Sequence, residues 1–180
     1  PASARESRRA LIQEAREAPA AGEPLYVAAW GGLGDVARAL HDAPDIADNI
    51  RLMSASGIKQ EPNAYGYIKD KLAGEGDLWW IDALTTQVGI YASPAGKTAN
   101  LNNDWAVENA KGHGSLGELF YQNTIDVKGT LDDFNAVKMG DSYTVFYLID
   151  QASNNDPTAT SWGGQYRKSD TGYWVDRTHT

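Results

Sequence analysis

Pro24-Leu-Tyr-Val-Ala-Ala-Trp30, then Gly31-Gly32, then Leu33 to His41, is the stretch that decides the fold. Its first part is an unbroken apolar run, the pattern of a strand buried on both faces of a parallel sheet. Its last part places Val36, Ala37 and Leu40 at helical spacing, so the chain passes from strand through a glycine turn into a helix. The same alternation continues downstream. Pro44 opens a short helical piece that runs to Ile50, and Arg51 to Ser56 reads as a second strand. Asn63 to Leu72 reads as a helix with Tyr65, Ile68 and Leu72 on one side, and Asp77 to Asp82 as a third strand. Strands alternating with helices predict an α/β domain, a three-layer sandwich around a mostly parallel sheet.

The flanks are less regular. Ser3-Ala-Arg-Glu6 has the form of a capping box, and Ser7 to Ala18 reads as a helix that Pro19 and Gly22 end. Residues 1–23 are therefore a helical lead-in to a domain over 24–180. Beyond Tyr91 lie a polar loop over 93–103 and short helices over Asp104–Ala110 and Ser115–Tyr121. Ser142 to Ile149 is apolar enough for helix or strand, and the tail after Asp156 reads as loops or a hairpin.

The 180 residues carry 16 basic and 24 acidic side chains, a net charge of −8. Phosphate recognition needs a basic footprint, so nucleic acid is a poor partner, and cations or neutral sugars fit better. No apolar run approaches the ~20 residues that span a bilayer, and no polybasic membrane patch is present. The absence of cysteine removes disulfides, thiol catalysis and cysteine-ligated metals.

Five places could carry chemistry. The turn Gly31-Gly32-Leu33-Gly34-Asp35 stands at a strand's carboxyl end and a helix's amino end, where open α/β sheets bind ligands, or Asp35 simply caps the helix. Glu61 and Asn63 could hydrogen-bond sugar hydroxyls, or Asn63 could be a cap. Asp141 could cap the segment after it or ligate a hard cation. His113, between Gly112 and Gly114, is a candidate acid, although no serine or aspartate spacing identifies a triad. Trp162 and Tyr166, with Tyr173-Trp174 nearby, could stack on sugar rings or plug the end of the sheet. Asp42, Asp45 and Asp48 look like solvated charge.

Several of these stretches together resemble one family, the nucleoside hydrolases. Leu25–Leu40 is similar to their strand, glycine turn and alanine-rich helix, and Pro44-Asp-Ile-Ala to their Pro-Glu-Ile. Arg51-Leu-Met53, Glu61-Pro-Asn63 and Gly140–Asp150 are similar to three further motifs. Trp30-Gly31-Gly32, Gly112–Gly117, Lys138–Ser142 and Ser161–Tyr166 resemble more closely the secreted subfamily labelled cellulose-binding. The resemblance spans about residues 24–176.

It implies a secreted or periplasmic protein acting on a sugar, with calcium as cofactor. The Gly34 carbonyl and the Asp141 carboxylate would ligate the ion. Glu61 and Asn63 would contact sugar hydroxyls, with Met53 close to the sugar. A calcium-bound water, deprotonated by an aspartate, would attack an N-glycosidic carbon. The departures matter as much. The family's aspartate-rich cluster has no counterpart, Gly140 stands for a histidine, and Gly34 and Asp35 stand for threonine and asparagine. The chain therefore resembles a carboxyl-terminal portion that is not expected to catalyse alone. Two alternatives follow: a non-catalytic polysaccharide-binding module using Trp162, Tyr166 and Trp174, or one half of a two-chain assembly completed by a separate amino-terminal half.

Overall fold

The computed structural model describes residues 4–55, 60–73, 78–83, 107–126, 141–150 and 155–177. Strands β1 (Leu25–Ala29), β2 (Ile50–Ala55), β3 (Trp79–Ala83), β4 (Tyr166–Lys168) and β5 (Trp174–Asp176) form one sheet in the order β1-β2-β3-β5-β4. The pairs β1–β2, β2–β3 and β3–β5 are parallel, and β4 returns antiparallel to β5 at the edge. Helices α1 (Ala4–Glu17), α2 (Gly34–Asp42) and α3 (Pro62–Tyr67) precede α4 (Gly114–Asp126) and α5 (Ser142–Ile149). A 3-10 turn, Pro44–Asn49, joins α2 to β2, and a π-helical turn, Ile68–Ala73, continues α3.

Side chains alternate across β2 and β3 with the two-residue period of a strand. Ile50, Leu52 and Trp80 enter a core shared with α1, α2 and α3, while Met53, Ala55, Ile81 and Ala83 enter a second core under α5. Helices thus cover both faces, which is the three-layer α/β sandwich that the sequence pattern predicts. α5 is a helix because Tyr143, Thr144 and Tyr147 fall on one helical face and bury there. Tyr147 meets Trp79 and Tyr166 ring to ring.

Three details differ from expectation. β1 is only partly buried, because it is an edge strand among the described strands rather than a central one. The hairpin in the tail joins the main sheet: Trp174 and Val175 of β5 register with Ile81 and Asp82 of β3. Asp42 and Asp45 are not merely solvated. Arg8 meets Asp42 at 3.2 Å and Arg16 meets Asp45 at 2.9 Å, fastening α1 across α2 and the 3-10 turn. The Arg16 hydrogen bond holds the Asp45 carboxyl below the usual carboxylate range. Of the expected short helix over Asp104–Ala110, residues 107–109 are helical and 104–106 lie outside the described residues, as does the 93–103 loop.

Candidate functional site

The turn after β1 carries no side-chain cap of its own, since Asp35 turns to Arg38 at 3.4 Å. Glu61, at the start of α3, supplies the missing acceptor. The Gly34 amide donates to its carboxylate, which places a negative charge at the positive end of α2. The glycines leave room for this approach, and a side chain at Gly32 or Gly34 would push the Glu61 carboxylate aside. A Cβ on Gly34 would stand 2.8 Å from both carboxylate oxygens, and one on Gly32 would meet the same carboxylate more closely still. The glycine turn and the Glu61 loop, two separate candidates in the sequence, are one unit in the fold. Beside them a groove of about 460 Å³ runs between α2 and α3, lined by Gly34, Arg38, His41, Glu61, Asn63 and Tyr67. Asn63 is exposed on its wall, and α3 makes no side-chain cap with it.

A buried polar cluster lies across the carboxyl ends of β2 and β3. Ser54 donates to Asp82 at 2.8 Å and accepts from the Trp80 indole at 2.9 Å. The Tyr65 and Tyr173 hydroxyls meet at 3.2 Å, and the Tyr143 hydroxyl donates to the Ser54 carbonyl at 2.7 Å. Burial raises the Asp82 pKa, and Asp176 adds to the rise, against hydrogen bonds from Ser54 and Tyr65 that lower it. Sequence reading missed this cluster; its signal is one acid ending an otherwise apolar strand.

The sign of the Asp82 shift gives a prediction. A carboxyl whose folded pKa is raised contributes stability that is complete below the unfolded value and is lost as pH rises through the folded one. Asp82→Asn removes that loss and keeps the shape. The variant is expected to unfold at higher denaturant than the parent at neutral pH. The gap should close below about pH 4, where the parent carboxyl is protonated in both states. Urea titrations at both pH values check this, and a gap independent of pH would contradict it.

The third group surrounds α5. Asp141 is its N-cap residue, exposed, with its carboxyl pKa raised by partial desolvation and no side-chain cap bond. The Thr144 hydroxyl donates to the Asp141 carbonyl at 2.9 Å and accepts from the Trp30 indole at 3.0 Å. At the far end of the helix the Trp162 amide donates to the Asp150 carboxylate at 3.1 Å. The next residue, Gly163, lies flat on α5: a Cβ there would come 2.5 Å from the Tyr143 carbonyl and the Tyr147 amide nitrogen.

The paired aromatics therefore separate. Trp162 is 74% exposed, whereas Tyr166 is 1% exposed, packed edge-on to Tyr147 with its hydroxyl donating to the Gly163 carbonyl. Tyr166 plugs the sheet, and Trp162 faces solvent. Trp174 is partly buried, with the Lys168 ammonium 5.5 Å from its ring centre. Met53 is 1% exposed, in the core beneath α5. His113 is exposed in the turn entering α4, between two glycines with positive φ. The structure thus joins Gly34, Glu61 and Asn63 at one groove. Asp141 and Trp162 are at the two ends of α5. Among the described residues, no three histidine, aspartate or glutamate side chains gather as a metal site. No helix among them is long and apolar enough to cross a membrane.

A mostly parallel sheet covered on both faces, with a glycine turn and an acid loop meeting after its first strand, makes an α/β domain with a candidate site at that strand's carboxyl end. The sequence profile described as "Cellulose-binding Sde182, nucleoside hydrolase-like domain" matches residues 2–166, and the chain belongs to that family. The match includes α1, whose Ala15 is fully buried in the first core. No curated protein and no solved structure matches the chain significantly.

Proposed function

We propose that this domain recognises polysaccharide, with cellulose as the ligand, and that Trp162 stacks on its sugar rings. The observation that carries the proposal is the exposure of Trp162 on a backbone fastened to α5 on either side of the ring's Cα, by Asp150 and by the seating of Gly163. An indole presents a flat apolar face and a polar edge, which suits the apolar face and hydroxyl rim of a pyranose. The family description names cellulose binding, and a net charge of −8 favours a neutral ligand over a polyanion. An insoluble extracellular ligand implies a secreted or periplasmic protein. The test is depletion onto insoluble cellulose. The parent chain is expected to leave the supernatant, and Trp162→Ala to bind about tenfold more weakly, a loss of about 1.4 kcal/mol. Equal retention of both would remove the ring from the account.

The second reading is calcium-dependent hydrolysis of an N-glycosidic bond. Calcium takes roughly six to eight oxygen ligands. Gly34 and Asp141 offer two donors on separate elements, and the described residues gather no acidic set around either. These residues alone do not fit the ion, so no step is drawn through it. Residues 1–180 are expected not to hydrolyse inosine or uridine with or without calcium, and turnover would contradict this. Hydrolysis returns in this reading if another chain pairs with the edge of β1 that meets no described strand and brings the acids. Copurification of such a chain, seen by intact mass, would support it.

A further inference from the structure

We propose that Trp30 is a second stacking platform, so that the glucan chain is held at more than one of its sugars. This rests on the polysaccharide reading above. Trp30 ends the apolar run of β1, yet 59% of it remains exposed. Its indole is nevertheless held, because its N–H donates to Thr144, which is 1% exposed and itself bonded to the Asp141 carbonyl. An edge anchored in a buried hydroxyl with the ring left in solvent is a poor use of an indole for folding. It suits a fixed surface for a ligand, since a pre-oriented side chain loses little entropy on binding.

Trp162 is held at the other end of the same helix by its backbone rather than its ring, its amide donating to Asp150. The anchoring residues, Thr144 and Asp150, are separated by about 9 Å along the helix axis at the usual rise per residue. Between them α5 exposes Val145 and Ile149. Four of the large exposed apolar side chains of the described residues thus gather on and beside one short helix, the kind of patch that marks an interaction surface. Anchors set that far apart suit several sugars linked in an extended chain better than one pyranose. Carboxylates at both ends of the helix, Asp141 and Asp150, are suited to accept hydrogen bonds from sugar hydroxyls and to repel an anionic polymer.

The test uses the whole chain on insoluble cellulose, with Trp30→Phe and Trp30→Leu as variants. Both keep a large apolar side chain, so the fold is preserved, and only phenylalanine keeps a flat ring. Phenylalanine, which keeps a flat ring but loses the N–H anchor on Thr144, is expected to hold part of the retention, and leucine to weaken it further, about threefold or more relative to the parent. Trp30→Leu combined with Trp162→Ala should fall to background. Cellohexaose should release the bound protein, and glucose at the same sugar concentration should not. Parent-like retention of both Trp30 variants, with Trp162→Ala still weak, would overturn this inference and leave the function standing. Equal loss in both variants would overturn it as well, since ring flatness would not be the cause. Release by glucose as effective as by cellohexaose would overturn the extended ligand. Failure of the parent chain to bind would overturn the function and this inference together.

Discussion

Trp80→Ala is expected to lower the unfolding free energy by about 3–5 kcal/mol, the usual cost of removing a buried tryptophan. Trp80 is fully buried at the centre of the first core. Its ring stacks on Tyr173 at 4.6 Å and meets Tyr65 edge-on at 5.2 Å. Truncation therefore opens a cavity between β3, α3 and the carboxyl-terminal hairpin. It also leaves the Ser54 hydroxyl without the indole donor at 2.9 Å, at the point where Ser54 holds Asp82. Domains of this size are typically stable by about 5–15 kcal/mol, so the variant loses a large fraction of its margin. Urea denaturation followed by circular dichroism measures the effect. A loss below about 1 kcal/mol would mean that this region is not packed as described.

Gly163→Ala is expected to act on binding and on stability together. The new methyl would stand 2.5 Å from the Tyr143 carbonyl oxygen and from the nitrogen and Cβ of Tyr147. These are mainly backbone atoms of α5, so the loop must lift instead. Overpacking of this kind costs about 1–3 kcal/mol. A lifted loop breaks the Tyr166 contact with the Gly163 carbonyl and moves Trp162 off its Asp150 anchor. Cellulose retention should then fall although the Trp162 ring is intact. Thermal melting and cellulose depletion, run side by side, read both effects. Unchanged retention in a destabilised protein would separate the ring's position from binding.

What was legible in the sequence follows from the range of each interaction. The α/β sandwich could be read because strand and helix periods alternate over residues 24–82, a local signal. The position of β1 at an edge could not, because apolarity alone does not distinguish an edge strand with one partner from a central one with two. The hairpin's place beside β3 depends on pairing across more than ninety residues, from Ile81 to Trp174. At the site, Gly34 and Glu61 were each visible as candidates. Their union was not, because it rests on an amide and a carboxylate brought together by tertiary packing. Trp162 and Tyr166 read alike as aromatics of one glycine-rich segment. The burial of one and exposure of the other depend on how that segment lies on α5. Trp30 reads as the end of a strand and part of the glycine turn, and only Thr144, far along the chain, shows that its indole is anchored.

The most direct measurement is the set of indole N–H signals in a nuclear magnetic resonance titration with cellohexaose. The chain has six tryptophans, and the five among the described residues differ widely in exposure. The account predicts saturable shifts of the Trp162 and Trp30 signals, while the signal of buried Trp80 stays in place. A spectrum in which neither exposed indole moves at saturating cellohexaose would contradict it.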